Sequence, residues 1–429
     1  MTTPDFDVVV VGAGFAGLAA ARELSWLGLS ACLLEARDRI GGRTWTERRL
    51  GRELELGGGW VHWMQQCVWA ELRRYGIAVE PTPVPEQICW VTSERRRIGT
   101  PAEFDAWLGD AALRLASDAC ELVPRPYDDP LANDAVLAAD RESIADRLRG
   151  LDLDPERREL AGSRWAGHLN APCERGAATE ALRMLARARG QLELLDEVSG
   201  GFRIEGGTSR LCAAIAADAA AELRSGTRVR RVEQSEHRVT AATHDGDRVT
   251  ARAALVTVPR NALGAIEFAP ELSDAKRRAI GSNASQGLKI WAKIAGQHPP
   301  FLGLAPAHCP LNNIASEFHH PDHTLVVGFG VDSRRLDAND QDAVEAEIRR
   351  WFPDMRVIAS TGHDWVADPL SGETWPSLTP GQLSRLAEVE QADGLVRLAG
   401  SDYARGWAGY IDGAIESGIR AAREVAGAM

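Results

Sequence analysis

Two hydrophobic periods organise this chain. Phe6 to Val11, FDVVVV, is a short branched apolar run of the kind that forms a strand buried on both faces of a parallel sheet. GAGFAG follows at once, LAAARELSWLGL then repeats its apolar residues at helical spacing, and a second apolar run, Ala31 to Leu34, ends in Glu35. Strand, glycine turn, helix and strand in that order predict an α/β unit. From about residue 76 to 194 helical stretches such as AEFDAWLGDAALRLASDACELV and RESIADRL dominate, separated by polar turns such as PRPYDDP, which predicts a helical insertion. Gly200 to Leu223 then opens another helix after a glycine pair, and TRVRRVEQ and AALVTVPRNAL bring strands back. SQGLKIWAKI, residues 285 to 294, has a period of two: Leu288, Ile290, Ala292 and Ile294 share one face, and Lys289, Trp291 and Lys293 the other. Read alone, that segment sends Lys289 into water.

The glycine loop has its own chemistry. Gly12 permits the tight strand-to-helix turn, Gly14 lets the backbone approach a pyrophosphate, and Gly17 lets the helix pack close to the strand. A helix N-terminus there offers free N–H groups and the positive end of a dipole. Glu35 stands about 20 residues beyond the glycines, where an acceptor for ribose hydroxyls is needed. These features predict dinucleotide binding without separating FAD from NAD.

The 429 residues allow two domains or one large one. A net charge of -12, with no basic stripe, excludes the electrostatic footprint of a nucleic-acid binder. Seven dispersed cysteines without a CxxC pair fit reduced thiols rather than a disulfide framework. The N-terminus carries aspartates where a secretory signal would be basic, and no run approaches the length of a membrane span, so the expectation is a soluble, cytoplasmic protein with no membrane partner. EFHHPDH, Glu317 to His323, has the residue types of a zinc site, but Pro321 and Asp322 predict a hairpin turn, and no metal is expected.

Beyond Glu35 the chain resembles the flavin-dependent amine oxidases, the monoamine oxidase family. The resemblance runs through EARDRIGGRTWT, LELGGGWVHW, QGLKI, HDWVADPL, ETWPSLTPGQ, GSD and GYIDGA, and covers nearly the whole length, loosely in ELAGSRWAGHLNAPCERGAA. It implies a two-domain α/β architecture: a Rossmann-like FAD domain from 1–75, 195–284 and 386–429, and a mixed-sheet and helical substrate domain from 76–194 and 285–385. Glu35, Arg37, Gly42 and Arg43 would border the FAD, as would Gly58, Gly59, Val229 and Trp365. Ser401 and Asp402 would meet the ribityl chain, and Tyr410 and Ile411 the pyrimidine end of the ring.

On the substrate side the resemblance implies that Trp375 and Tyr410 form an aromatic cage, that Lys289 orders a water beside flavin N5, and that Trp60 and His62 lie nearby. Thr374 stands where mammalian relatives carry the cysteine that bonds the flavin, which implies non-covalent FAD. The implied reaction is oxidation of the C–N bond of a small cyclic or aromatic-ring-bearing amine, 6-hydroxynicotine-like, to an imine, with O2 reduced to H2O2 or another acceptor taking the electrons. A polyamine oxidase is the alternative within the class. An L-amino acid oxidase would need an arginine clamp that GGGWVHW does not offer. A non-catalytic flavin-binding interaction protein is the reading from another class. The resemblance also suggests a homodimer.

Overall fold

Val8 and Val10 feed one hydrophobic core while Val9 and Val11 feed another on the opposite face, so the first strand is buried on both sides. The computed structural model describes residues 3–429. The strand Phe6–Val11 pairs in parallel with Ala31–Leu34 on one side and with Arg248–Val256 on the other. Val239–Thr243 and Val229–Gln234 continue this sheet as antiparallel neighbours, and Glu222–Arg224 and Glu267–Ala269 form its ends. Val396–Leu398, from far down the chain, joins in parallel beside Arg248–Val256. The helix Phe15–Trp26 lies over this sheet against the C-terminal helix Ile411–Ala428. Contact there is at backbone distance, because a Cβ on Gly418 would stand 2.2 Å from the Ala16 carbonyl oxygen.

A second sheet of seven strands carries Leu288–Ala295, flanked by Val357–Gly362 and His323–Gly330. Asn313–His319 pairs antiparallel with His323–Gly330, so EFHHPDH forms the turn of a hairpin. The far edge of this sheet is Gln87–Val91 with Arg96–Gly99. Those two strands fall in a stretch that the sequence assigned to helices. Their pattern there is a short strand, a polar turn and an arginine-rich strand, which too few residues distinguish from a broken helix. From Pro101 onward the insertion is helical as far as Gly200. Its core includes Trp165, Leu182 and Leu185, and it packs under Trp90 and Trp407. A small three-stranded sheet, Trp60–Val61, Phe202–Ile204 and Val79–Pro81, stitches the chain between the two larger ones. Among the described residues no helix is long and apolar enough to cross a membrane.

Candidate active site

The glycine loop is built for a close ligand. Gly12 has φ +102°, and a Cβ on Gly17 would stand 1.9 Å from the Gly12 carbonyl oxygen, so neither position accepts a side chain. Gly14 caps the helix Phe15–Trp26 without any side-chain hydrogen bond, which leaves the N–H groups of the first turn for an anion. Glu35, buried, accepts from the backbone N–H groups of Ala13 and Arg37, each at 2.8 Å, and so pins the loop to the end of the second strand. Gly14 also bridges to Gly41, and Gly42 faces the Gly14 α-carbon, which places the GGR turn directly beside the glycine loop. Arg37 donates to Asp368 at 2.7 Å. Val229 begins its strand two residues after Thr227, whose N–H donates to the Glu35 carbonyl at 2.7 Å.

Arg43 is held by two buried carboxylates, Glu373 at 2.9 Å and Asp402, and it also donates to Ser401 Oγ at 2.9 Å. Arg260 completes the group: its backbone N–H donates to Asp402 Oδ2 at 2.8 Å and its guanidinium to the Asp402 carbonyl at 2.7 Å. Burial drives the Glu373 carboxyl well above the ordinary carboxylate range, and Asp402 beside it adds to that rise. Burial acts on Asp402 in the same direction, but Arg43, the hydrogen bond from Glu373 and Arg260 outweigh it and hold Asp402 below that range. Of the two, Glu373 holds a proton the more tightly. Asn283 fixes it, donating to Glu373 Oε2 at 2.7 Å while its own oxygen accepts from Ser285 and Ser377 N–H groups.

The segment Glu55 to Gly59 is where the two sheets meet. Three successive carbonyls of this segment accept from side chains of the second sheet and the loop after it: Glu55 from Trp291 Nε1 at 2.8 Å, Leu56 from Trp365 Nε1 at 2.9 Å, and Gly57 from Lys289 Nζ at 2.7 Å. A Cβ on Gly57 would meet the Arg43 carbonyl oxygen at 1.9 Å, and one on Gly59 the Glu55 side chain at 2.7 Å, whereas Gly58 meets only ordinary contact. Lys289 is buried, contrary to the bland expectation for the polar face of its strand, and its Nζ lies 4.3 Å from the centroid of the Trp60 ring. Burial lowers the Lys289 amine to about 8, against the pull of Glu55 and Glu317. Trp60 opens into a cavity of about 550 Å³, whose walls include Phe202, Phe301, Phe329, Asp196, Glu197 and Glu317. Such a volume suits a small organic molecule.

Ser199, on the cavity wall, shares a 2.9 Å hydrogen bond with the Tyr410 hydroxyl. Trp375 Nε1 donates to the His168 carbonyl at 3.0 Å, and a Cβ on Gly409 would lie 3.4 Å from Trp375 Cβ, so the Trp375 and Tyr410 segments abut. Tyr410 is also the N-cap residue of the C-terminal helix, whose first turn, beginning at Ile411, has no side-chain cap. His62 lies apart from this group. Fully buried, it accepts from the Met64 N–H at Nδ1 (3.3 Å) and so presents Nε2–H to Glu197 at 3.2 Å. Sequence reasoning missed Arg260, Glu373, Asn283 and Asn170, whose Nδ2 donates to Thr374 Oγ1 at 2.8 Å. Buried polar residues of this kind carry no periodic signal.

The profile of the flavin-containing amine oxidoreductases matches residues 15–426. The chain belongs to that family. A pseudooxynicotine dehydrogenase of a Pseudomonas species is 36% identical to this amine oxidoreductase over 98% of this chain and 86% of that protein. An (S)-6-hydroxynicotine oxidase of Paenarthrobacter nicotinovorans is 30% identical over 96% of this chain and 97% of that protein. Among solved structures, a triple variant of putrescine oxidase superposes with a TM-score of 0.88 at 25% identity over 99% of both chains. As a member of this family the protein is an oxidoreductase with FAD as its cofactor. Its residues fit that group: an uncapped helix N-terminus beside three glycines for the pyrophosphate, and a second uncapped helix start at Tyr410.

Proposed function

We propose that this amine oxidoreductase oxidises the C–N bond of a small ring-bearing amine of the nicotine type to an imine, which water then hydrolyses. The observation that carries this reading is the position of Lys289, a buried amine tied to the Gly57 carbonyl and facing the Trp60 ring at the inner wall of an aromatic cavity. FAD, when bound, supplies the hydride acceptor; the protein supplies orientation and a dry site. Gly14, Glu35 and Arg43 would hold FAD at its phosphate and sugar end, and Trp375 and Tyr410 would hold the amine by their ring faces. Lys289, near its neutral point at pH 8, would order a water at the reacting end. Thr374 before Trp375 leaves no thiol for a covalent link there, so FAD is non-covalent in this reading.

The names of the two relatives, a dehydrogenase and an oxidase, frame the choice of electron acceptor. This reading takes O2, with H2O2 as product. Anaerobic addition of 6-hydroxynicotine or pseudooxynicotine should bleach the flavin band, and admission of air should restore it within seconds while peroxide appears. Bleaching without rapid recovery in air would replace O2 by an electron-transfer partner, and no bleaching by either compound would reject the substrate class. One observation favours a polyamine as a second reading. Of the carboxylates in the cavity wall, Asp196 and Glu317 are engaged by Arg164 and Arg203, whereas Glu197, among the described residues, pairs with His62 alone and is free to take a distal ammonium group.

A further inference from the structure

The helix Ala178–Arg187 is buried at all ten positions yet carries a polar row of Glu180, Arg183 and Arg187. Glu180 and Arg183 pair at 2.8 Å, which leaves Arg187 as the net charge of the helix. Among the described residues no carboxylate forms an ion pair with Arg187, and its Nε and Nη2 have no hydrogen-bond partner. Its Cζ lies 5.9 Å from the centroid of the Trp407 ring, and Trp407 in turn meets the Tyr410 ring edge-on at 5.5 Å. The guanidinium therefore stands behind the aromatic residues of the substrate side. An unpaired buried charge is one of the least favourable things a protein can keep, so its retention calls for a role.

We propose that Arg187 places a fixed positive charge behind Tyr410 that makes the site favour the neutral amine over its ammonium form. Hydride can leave the carbon beside nitrogen only when the nitrogen lone pair is free to form the C=N bond, so the neutral amine is the reactive species. No side chain near Tyr410 is needed as a general base if the site itself disfavours the protonated form. The groups around Arg187 do not cancel it. Arg183 and Glu180 neutralise each other, and Tyr127, whose hydroxyl donates to the Arg187 carbonyl at 3.2 Å, and Tyr410 are uncharged at neutral pH, both raised by burial. Arg189 adds positive charge near Tyr127. Asp196, the carboxylate that bears on Tyr410, is consumed by Arg164 and His168. Asp412 is the remaining acid in reach of Tyr127; burial moves it up to about 6, so it stays ionised at neutral pH, but it is engaged by the Val68 N–H, from which it accepts at 2.9 Å, and forms no ion pair with Arg187 among the described residues. Burial draws Arg187 itself only down to about 9, which keeps it charged.

This inference rests on the reading of Trp375 and Tyr410 as the amine site, and its test separates the two. The oxidised holoenzyme is titrated with N,N-dimethylpyrrolidinium, a permanent cation, and with N-methyl-2-pyrrolidone, a neutral molecule of similar size, each followed by perturbation of the flavin spectrum. In R187M and R187Q the cation should bind on the order of ten-fold tighter than in the unaltered protein, while the neutral probe changes little and R187K behaves as the parent. The pH at which an amine substrate reaches half its maximal rate of flavin reduction should rise in the same two variants. R187M should also melt at a higher temperature, because it removes an uncompensated charge. W375A reads the cage: it should weaken both probes, and if it weakens neither the cage reading falls while the ratio between probes in R187M still stands on its own. An unchanged ratio of cation to neutral affinity in R187M and R187Q, or failure of both uncharged variants to fold, overturns the proposal.

Discussion

The cofactor end and the proposed amine end of this molecule are built from different materials. Around the glycine loop the working parts are backbone: N–H groups at an uncapped helix start, the left-handed turn at Gly12, and Gly17 and Gly57, where a methyl group would overlap a carbonyl oxygen. At the proposed amine end they are side chains from segments far apart in the chain: Trp60, and Lys289, Trp375 and Tyr410, which are hydrogen-bonded to Gly57, His168 and Ser199 respectively. A backbone site depends on what is absent from a position, and any added atom damages it. A side-chain site depends on what is present, so its parts can be removed singly and the fold survives.

Substitution on each side tests that contrast. The largest effect should come from G17A, whose Cβ would overlap the Gly12 carbonyl at 1.9 Å and whose relief requires the helix to move, at a cost of about 3 kcal/mol. The purified protein should carry little flavin by its visible absorbance; a full complement of flavin in G17A would break the comparison. K289M should keep its flavin and slow anaerobic flavin reduction on the order of a hundred-fold by stopped flow. Unchanged reduction would take Lys289 out of the site.

The same variant has a stability signature. The folded protein releases the Lys289 proton at about 8, whereas the unfolded chain keeps it to near 10.5, so between those values the unfolded state binds more protons and this group makes stability rise with pH. Below pH 8 the buried charge costs roughly 3 kcal/mol. K289M should therefore be more stable than the parent at pH 7 in urea denaturation, with the advantage fading toward pH 10.5. A constant difference across that range would mean that Lys289 is not the titrating group. W375A should raise KM for the amine roughly ten-fold with a smaller change in kcat. The smallest effect belongs to E197Q. Its exposed carboxylate should matter only for diamines, raising their KM about three-fold relative to monoamines, and equal change for both would remove the second reading.

The legibility of the molecule divides along the same line. Phe6–Val11, the glycines and Glu35 announce the first sheet because backbone demands appear as local composition. The hairpin at Pro321 and Asp322 and the strand around Lys289 were visible for the same reason, as turn chemistry and alternation. Gln87–Val91 and Arg96–Gly99 were not, because a short hairpin with an arginine-rich second strand has no local signature stronger than its helical neighbours, and the strand that ties it into the sheet, Phe301–Leu304, lies some 200 residues later. Glu373, Asn283 and Arg260 were invisible: a buried acid reads like a surface acid until the chain is folded. The alternation around Lys289, read alone, points it at water, and only the family resemblance implies its burial; what surrounds it, Trp60 and the Gly57 carbonyl, has no signal in the sequence.

The contact between Gly418 and Ala16 joins the helix that begins at the glycine loop to the helix that begins at Tyr410. The two helices act as a caliper, with one jaw at the glycine loop and the other at the proposed amine end, and the jaws are clamped in the first turn behind the glycine loop, at Ala16. The helical insertion can then be rebuilt for a new amine without disturbing that clamp. Divergence in substrate within such a chain should accumulate in residues 101–200, and the caliper should be the last part to drift.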